Sequence, residues 1–255
     1  MHIQPSFSTR PDYQRLPDVS NTAPTEAQSL SRQKRGVAEK KGIWPQFATI
    51  TISTTGLTEE QRALVKKNIC KWAPHVNLKF KFIDRPDGDI RVIADKNLDG
   101  GFLGHTPNAE GTIRPPLIMG IGFREGPDPD IERVILHEFG HALGLHHEHQ
   151  HPDSTLGIKE ELIEEKKKTL SADQLERFNS QYLYTFPRHR VITSPYDQKS
   201  IMHYPFKAES LNSGKSIPPN KELSKGDIDF ISSLYPPSCR QPSSATPLGR
   251  SKAGN

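Results

Sequence analysis

His137-Glu138-Phe139-Gly140-His141-Ala142-Leu143-Gly144-Leu145-His146-His147-Glu148 is the stretch from which the rest of this chain is read. Its first two histidines are four residues apart, so on an α-helix both imidazoles lie on one face, one turn from each other. Two such rings can grip one metal ion, and Zn²⁺ is the usual occupant of a histidine site. Glu138 follows the first ligand and is placed to reach a water at the metal rather than the metal itself, as a general base must be. Gly144 can adopt the left-handed backbone that ends a helix, after which the chain can bring His147 back as a third ligand. Three protein ligands leave the fourth position open, the pattern of a catalytic zinc centre rather than a structural one. His146, His149 and His151 crowd the same region, and a histidine-rich tract can bind metal loosely. Only His147 has the spacing that follows the glycine turn.

Working outward, the residues before the motif carry the alternation of a sheet and the period of helices. Ala48 to Ser53, Leu78 to Phe82 and Ile90 to Ala94 read as strands. Thr58-Glu59-Glu60-Gln61 is a capping box that opens a helix with Val65, Ile69 and Trp72 on one face and Pro74 at its end. Residues 99–122 are loop-rich and close on an expected edge strand, Leu117 to Phe123. Asp128 is expected to cap the metal helix, with Pro129 in its first turn. Ile131, Val134, Ile135, Ala142 and Leu143 make that helix apolar on most sides and therefore buried. Beyond His147, Lys159 to Lys168 is a charge run on a solvated helix. Ser171 caps a further helix reaching Tyr182. Ser224 starts a terminal helix with Ile228, Ile231 and Leu234 facing inward.

The ends differ from this middle. Residues 1–42 are rich in Pro, Ser, Gln and Arg and read as a disordered tail or pro-segment, with Arg32-Gln33-Lys34-Arg35 as a dibasic processing signal or a solvated linker. Residues 240–255 read as a second disordered tail. The net charge of +4 resides in these ends: 1–42 contribute +3 and 240–255 another +3, leaving −2 for 43–239. A nucleic-acid surface on the folded part is therefore not expected. No apolar run approaches the length of a membrane helix, and the first residues lack the apolar core of a signal peptide.

The extended histidine motif resembles that of the metzincin clan of zinc endopeptidases, which also carry a methionine turn beneath the metal. Ser200-Ile201-Met202-His203-Tyr204 supplies such a turn, and with Glu148 directly after the third histidine it resembles the astacin family in particular. The wider likeness runs from Trp44-Pro45 to Leu234-Tyr235-Pro236. It includes His147-Glu148-His149-Gln150-His151-Pro152 and Glu222-Leu223-Ser224-Lys225-Gly226-Asp227, and is similar to the compact bacterial and fungal members.

That resemblance implies an α+β, zincin-like fold within residues 43–239. Its N-terminal lobe, about 43–147, would hold a twisted mixed sheet and two long helices. A more irregular C-terminal lobe, about 148–239, would lie across a zinc cleft. It implies one Zn²⁺ on His137, His141 and His147, with Glu138 as general base in peptide-bond hydrolysis and Tyr204 as a second catalytic residue that binds zinc at rest and swings to support the intermediate. Met202, Gly144 and Glu148 would be structural. The substrate would be a protein or peptide, added as a strand at the Leu117–Phe123 edge. The protein is expected to be a monomer with no nucleic-acid or membrane partner. A catalytically silent metal- or protein-binding module on the same fold is the alternative, against which Glu138 argues, since binding alone does not need it. The resemblance also implies a Cys70–Cys239 disulfide; the other reading is two free thiols. The bond would favour an oxidising, extracellular destination.

Overall fold

Alternating burial builds the sheet. Along β2 (Thr49–Ser53), Ile50 and Ile52 are fully buried while Thr49 is exposed. The computed structural model describes residues 36–39, 42–95, 100–101, 117–124 and 126–237. β3 (Lys79–Ile83) and β4 (Ile90–Ala94) fall where the sequence puts them. With β5 (Gly100–Gly101) and β6 (Leu117–Ile121) they form one sheet in the order β3-β2-β4-β6-β5, parallel except for the antiparallel β5/β6 pair. The mixed sheet is thus as expected, but the expected edge strand is not at the edge. β6 pairs with β4 on one side and with β5 on the other, where Gly100 faces Gly120 and Gly101 faces Met119. Two glycines carry no alternation to read, and with no Cβ they let the backbones pair closely.

Two helices complete this half. α1 (Glu59–Ile69) opens on the Thr58 box: Thr58 Oγ1 accepts from the Gln61 amide at 3.3 Å and Gln61 Oε1 accepts from the Thr58 amide at 3.0 Å. It stops at Cys70, short of a 3₁₀ turn holding Pro74. α2 (Ile131–Ala142) begins later than Asp128 and Pro129 imply. Asp128 Oδ1 accepts from the Asp130 amide at 2.9 Å, so its side chain closes a turn ahead of the helix instead of capping it. The inner faces of α1, α2 and the sheet share one core that contains Ile50, Ile52, Val65, Ile69, Ile90, Val92, Ile135 and Phe139. Phe80 meets Phe139 edge to face at 5.1 Å.

The second half has little sheet. α3 (Glu160–Thr169) and α4 (Ala172–Phe178) follow the site, α4 opening on a Ser171–Gln174 capping box. The single helix expected to reach Tyr182 instead changes at Asn179 into a π-helical turn, Asn179–Leu183. α5 (Lys225–Leu234) starts on Ser224 and buries Phe230, Ile231 and Leu234, while Ile228 stays half-buried. A smaller apolar cluster of Phe206, Leu211 and Ile217 sits apart from the main core.

The expected boundary before residue 43 falls too late. β1 (Val37–Ala38) is buried and pairs antiparallel with β7 (Ile192–Thr193), while the His146 amide donates to Val37 O at 2.9 Å. Two residues have no period to detect, and their partners lie more than a hundred positions away. At Gly36 an added Cβ would sit 2.1 Å from the Phe230 ring, so the backbone there presses onto α5.

Candidate metal centre and active site

The period of α2 brings His137 and His141 together with ring centroids 4.8 Å apart. Leu143 caps the helix, and Gly144 then takes φ +95°. The Gly144 amide donates to His141 O at 2.9 Å and the Leu145 amide to Gly140 O at 3.0 Å, the paired bonds of a Schellman stop. A Cβ at Gly144 would lie 2.6 Å from Gly42 O, so glycine is required here for space as well as for φ. The two next free carbonyls of the helix end are taken by side chains. Trp44 Nε1 donates to Ala142 O at 2.7 Å, and the Tyr235 hydroxyl donates to Leu143 O at 2.7 Å.

That turn delivers His147, whose ring lies 4.5 Å from His141 and 5.2 Å from His137. The donor nitrogens of His137, His141 and His147 all lie within 4.8 Å of one another, with His141 Nε2 and His147 Nε2 at 2.9 Å. His137 Nδ1 donates to Ile201 O at 2.8 Å and His141 Nδ1 donates to Leu145 O at 2.7 Å. Those bonds leave the Nε2 of both rings as bare acceptors aimed at a common point. Burial, reinforced by the neighbouring imidazoles, holds His137 and His147 well below the ordinary histidine range, and burial alone lowers His141 to about 4. Neutral, convergent imidazoles at these separations suit zinc, whose nitrogen ligands at about 2.1 Å stand roughly 3.3 Å from each other in a tetrahedral site.

Glu138 is buried on the same helix, 6% exposed. Met202 underlies the site: a Cβ at Gly140 would lie 2.4 Å from its Sδ, so the glycine makes room for the methionine. Tyr204 has its ring centroid 4.2 Å from that of His147 and 5.9 Å from that of His137. Burial, and then the charge of Glu138, raise its hydroxyl above the ordinary tyrosine value. The sequence-predicted ligands, base, tyrosine and methionine are therefore gathered into one site.

Residues 36–234 match the family model for astacin, a family of peptidases. The chain belongs to the astacin family. It is 24% identical over 206 residues to zinc metalloproteinase nas-14 of Caenorhabditis elegans, covering 76% of this chain and 37% of that protein. It is 24% identical over 230 residues to nas-7 of the same organism, covering 86% and 55%. This chain thus spans about a third to a half of the length of those relatives. Among solved structures, myroilysin superposes with a TM-score of 0.68 at 26% identity, covering 80% of this chain and 100% of myroilysin. High choriolytic enzyme 1, a hatching-enzyme zinc-protease of the medaka Oryzias latipes, shares the fold at a TM-score of 0.53 and 19% identity, covering 77% of this chain and 96% of that one.

The rest of the astacin domain explains the histidines left over. His146 packs on Phe186 at 4.3 Å, His149 Nε2 donates to Gln181 O at 2.8 Å, and His151 Nε2 donates to Ser194 O. Each is buried; His151 is bonded through both ring nitrogens, whereas His149 Nδ1 is buried without a hydrogen-bond partner. Glu148 is also committed. Its Oε1 accepts from the Asp197 amide at 2.7 Å, and its own amide donates to Met202 O at 3.0 Å.

Sequence reasoning missed the acid that orders the methionine turn. Asp227 Oδ1 accepts from Ser200 Oγ at 2.6 Å, and Oδ2 accepts from the Ile201 and Ser224 amides, both at 2.8 Å. Burial pushes its carboxyl up to about 6 against those bonds. The signal was present as the acid three residues after Ser224, which reads as an ordinary helix start. Cys70 lies exposed at the end of α1, and Cys239 lies outside the described residues.

Proposed function

We propose that this protein is a zinc-dependent metalloendopeptidase that holds one Zn²⁺ on His137, His141 and His147 and uses Glu138 as general base. The observation that carries this reading is the convergence of three neutral imidazoles, two of them buried with a carboxylate on one helix and the third half-buried just past its end. Zinc, when bound, supplies Lewis acidity that makes a water acidic near neutral pH and offsets negative charge on the scissile carbonyl oxygen. Glu138 takes the proton from the water as its oxygen attacks the peptide carbon. It then gives that proton to the leaving nitrogen as the C–N bond breaks. The Tyr204 hydroxyl donates a hydrogen bond to the developing oxyanion. Nδ1 contacts to Ile201 O and Leu145 O keep two ligand rings in one tautomer and orientation. An extended peptide would add to the sheet at its β5 side, with protein or peptide chains as the substrate class.

Casein hydrolysis by the protein, with and without chelator, tests the activity. In Glu138→Gln, zinc content by atomic absorption should stay near one per chain while turnover falls about a thousandfold or more. Full turnover in that variant overturns the role of Glu138. Metal binding without turnover in the unsubstituted protein would favour a silent module.

A further inference from the structure

The π-helical turn after α4 lies against the third-ligand segment, and the functional reading so far gives it no task. Its closing bond runs from the Tyr184 amide to Asn179 O at 2.8 Å. A π turn inserts one residue into a helix and swings the carbonyls and side chains of that turn out of helical register, a feature that clusters at functional sites. Here the freed carbonyls face the residues just after His147. Gln150 Nε2 donates to Ser180 O at 2.9 Å, His149 Nε2 donates to Gln181 O at 2.8 Å, and the Phe186 amide closes the loop onto Gln150 O at 3.0 Å.

What this arrangement touches is Tyr204. The ring of His149, held edge-on by Gln181 O, stacks on the Tyr204 ring at 4.6 Å with a 26° interplanar angle. Tyr182, the next residue of the turn, meets Tyr204 edge to face at 6.2 Å. His147 lies over the same tyrosine ring at 4.2 Å, so Tyr204 is enclosed between a metal ligand and the π turn.

We propose that the turn Asn179–Leu183 is the seat of Tyr204 and that His149 is a positioning residue for it, its ring fixed by the Gln181 carbonyl and stacked on the tyrosine. In a regular helical turn of the same extent the Tyr184 amide would pair with Ser180 O in place of Asn179 O, taking the acceptor of Gln150 Nε2, and Gln181 O would point along the helix axis rather than out toward His149. The irregularity of α4 is therefore the means by which a distant segment sets the orientation of a side chain in the cleft. The catalytic consequence rests on the reading of Tyr204 given above; the seat itself does not.

The test is a double-mutant cycle with His149→Phe, which keeps a ring for the stack but deletes the bond to Gln181 O, and Tyr204→Phe. Two readouts are taken: kcat and KM on a peptide, and the melting temperature of the metal-free protein in chelator. His149→Phe is expected to retain zinc and to lower kcat about fivefold to tenfold with little change in KM, the size that one hydrogen bond supplies. In the Tyr204→Phe background the same substitution should lower kcat no further. Equal effects on kcat in both backgrounds, or an unaltered kcat in His149→Phe alone, would overturn the proposal, because His149 would then not act through Tyr204. If Tyr204→Phe alone leaves kcat unchanged, the catalytic role of Tyr204 falls. The seat is then decided by melting: non-additive shifts support it and additive shifts overturn it.

Discussion

Up to His147 the metal site is carried by α2, a twelve-residue helix whose apolar side is sunk in the main core against the sheet and α1. After His147 the chain lends Ile201, Met202 and the inner face of α5 to that core and has a small apolar cluster of its own. Around the site it is tied by side-chain hydrogen bonds: the Asp197 amide donates to Glu148, Ser224 Oγ donates to Asp197 at 2.8 Å, and Ser200 Oγ and the Ile201 amide donate to Asp227. The first half fixes His137, His141 and Glu138 by burial. The second fixes the segment after His147 and the methionine turn with directional polar contacts besides burial. Damage in the first half should therefore appear as lost global stability. Damage in the second should appear as lost alignment with most of the stability kept.

The largest effect sits at the joint between the halves. His147→Ala should strip the zinc and abolish hydrolysis, while His146→Ala should keep both, because the His146 ring is packed on Phe186 and is not among the converging donors. Metal analysis and a peptide assay on both proteins check this, and the reverse outcome would transfer the ligand role to His146. Next in size is a pair of core truncations. Phe139→Ala removes a fully buried ring from the main core and should lower stability by about 3–5 kcal/mol in denaturant unfolding. Phe206→Ala, in the satellite cluster and 9% exposed, should cost roughly half as much. Equal losses would mean that the two halves are not held differently after all.

A third test concerns how the end of the second half is fastened to the first. Asn77 Nδ2 donates to Pro236 O at 3.0 Å and Ser232 Oγ donates to His75 O at 2.9 Å, so the chain leaves α5 beside the turn that follows Cys70. A Cys70–Cys239 bond would close a loop of about 170 residues, with a chain-entropy ceiling near 5 kcal/mol. Cys70→Ser should accordingly lose about 2–3 kcal/mol in protein purified without reductant. Two freely titrating thiols in the unsubstituted protein would end this expectation. The smallest effect is a pH dependence in the second half. A folded-state pKa of about 6 for Asp227, above the ordinary 3.8, means that the folded protein holds this proton more tightly than the unfolded chain does. Its contribution is fully present below the unfolded value and is lost as pH rises through the folded one. The melting temperature of the unsubstituted protein, relative to Asp227→Asn at fixed zinc, should therefore fall between about pH 4 and 7. A constant difference across that window would show that Asp227 does not titrate there.

The same contrast explains how much could be read without coordinates. Chemistry with a fixed spacing was legible: His137, His141, Gly144 and His147, the capping box at Thr58, and the helix starts at Ser171 and Ser224, which the structure completes as capping boxes. Strands β2, β3 and β4 were legible because one face of each is turned to the core. β1 and β5 were not, since two-residue strands have no period and their pairing is decided by distant partners. Asp227, Gln181 and Gly140 were hidden for a related reason. Each looks locally ordinary, and its task exists only once another segment is laid against it.

The closing of α2 carries one more implication. Trp44 reaches Ala142 across 98 positions, Tyr235 reaches Leu143 across 92, and the Trp44 amide donates to the Tyr235 hydroxyl across 191. The end of the ligand helix is thus built from both extremities of the domain. Contacts so far apart in sequence form late in folding, after the entropy of closing long loops has been met. During synthesis α2 would emerge long before Tyr235 does, so Leu143 O would wait for the stretch after α5, while Trp44, the partner of Ala142 O, is already made. A partly made copy would have its histidines in order of sequence but not in register around a metal. The closing of this helix end is thereby tied to the last helix of the astacin domain.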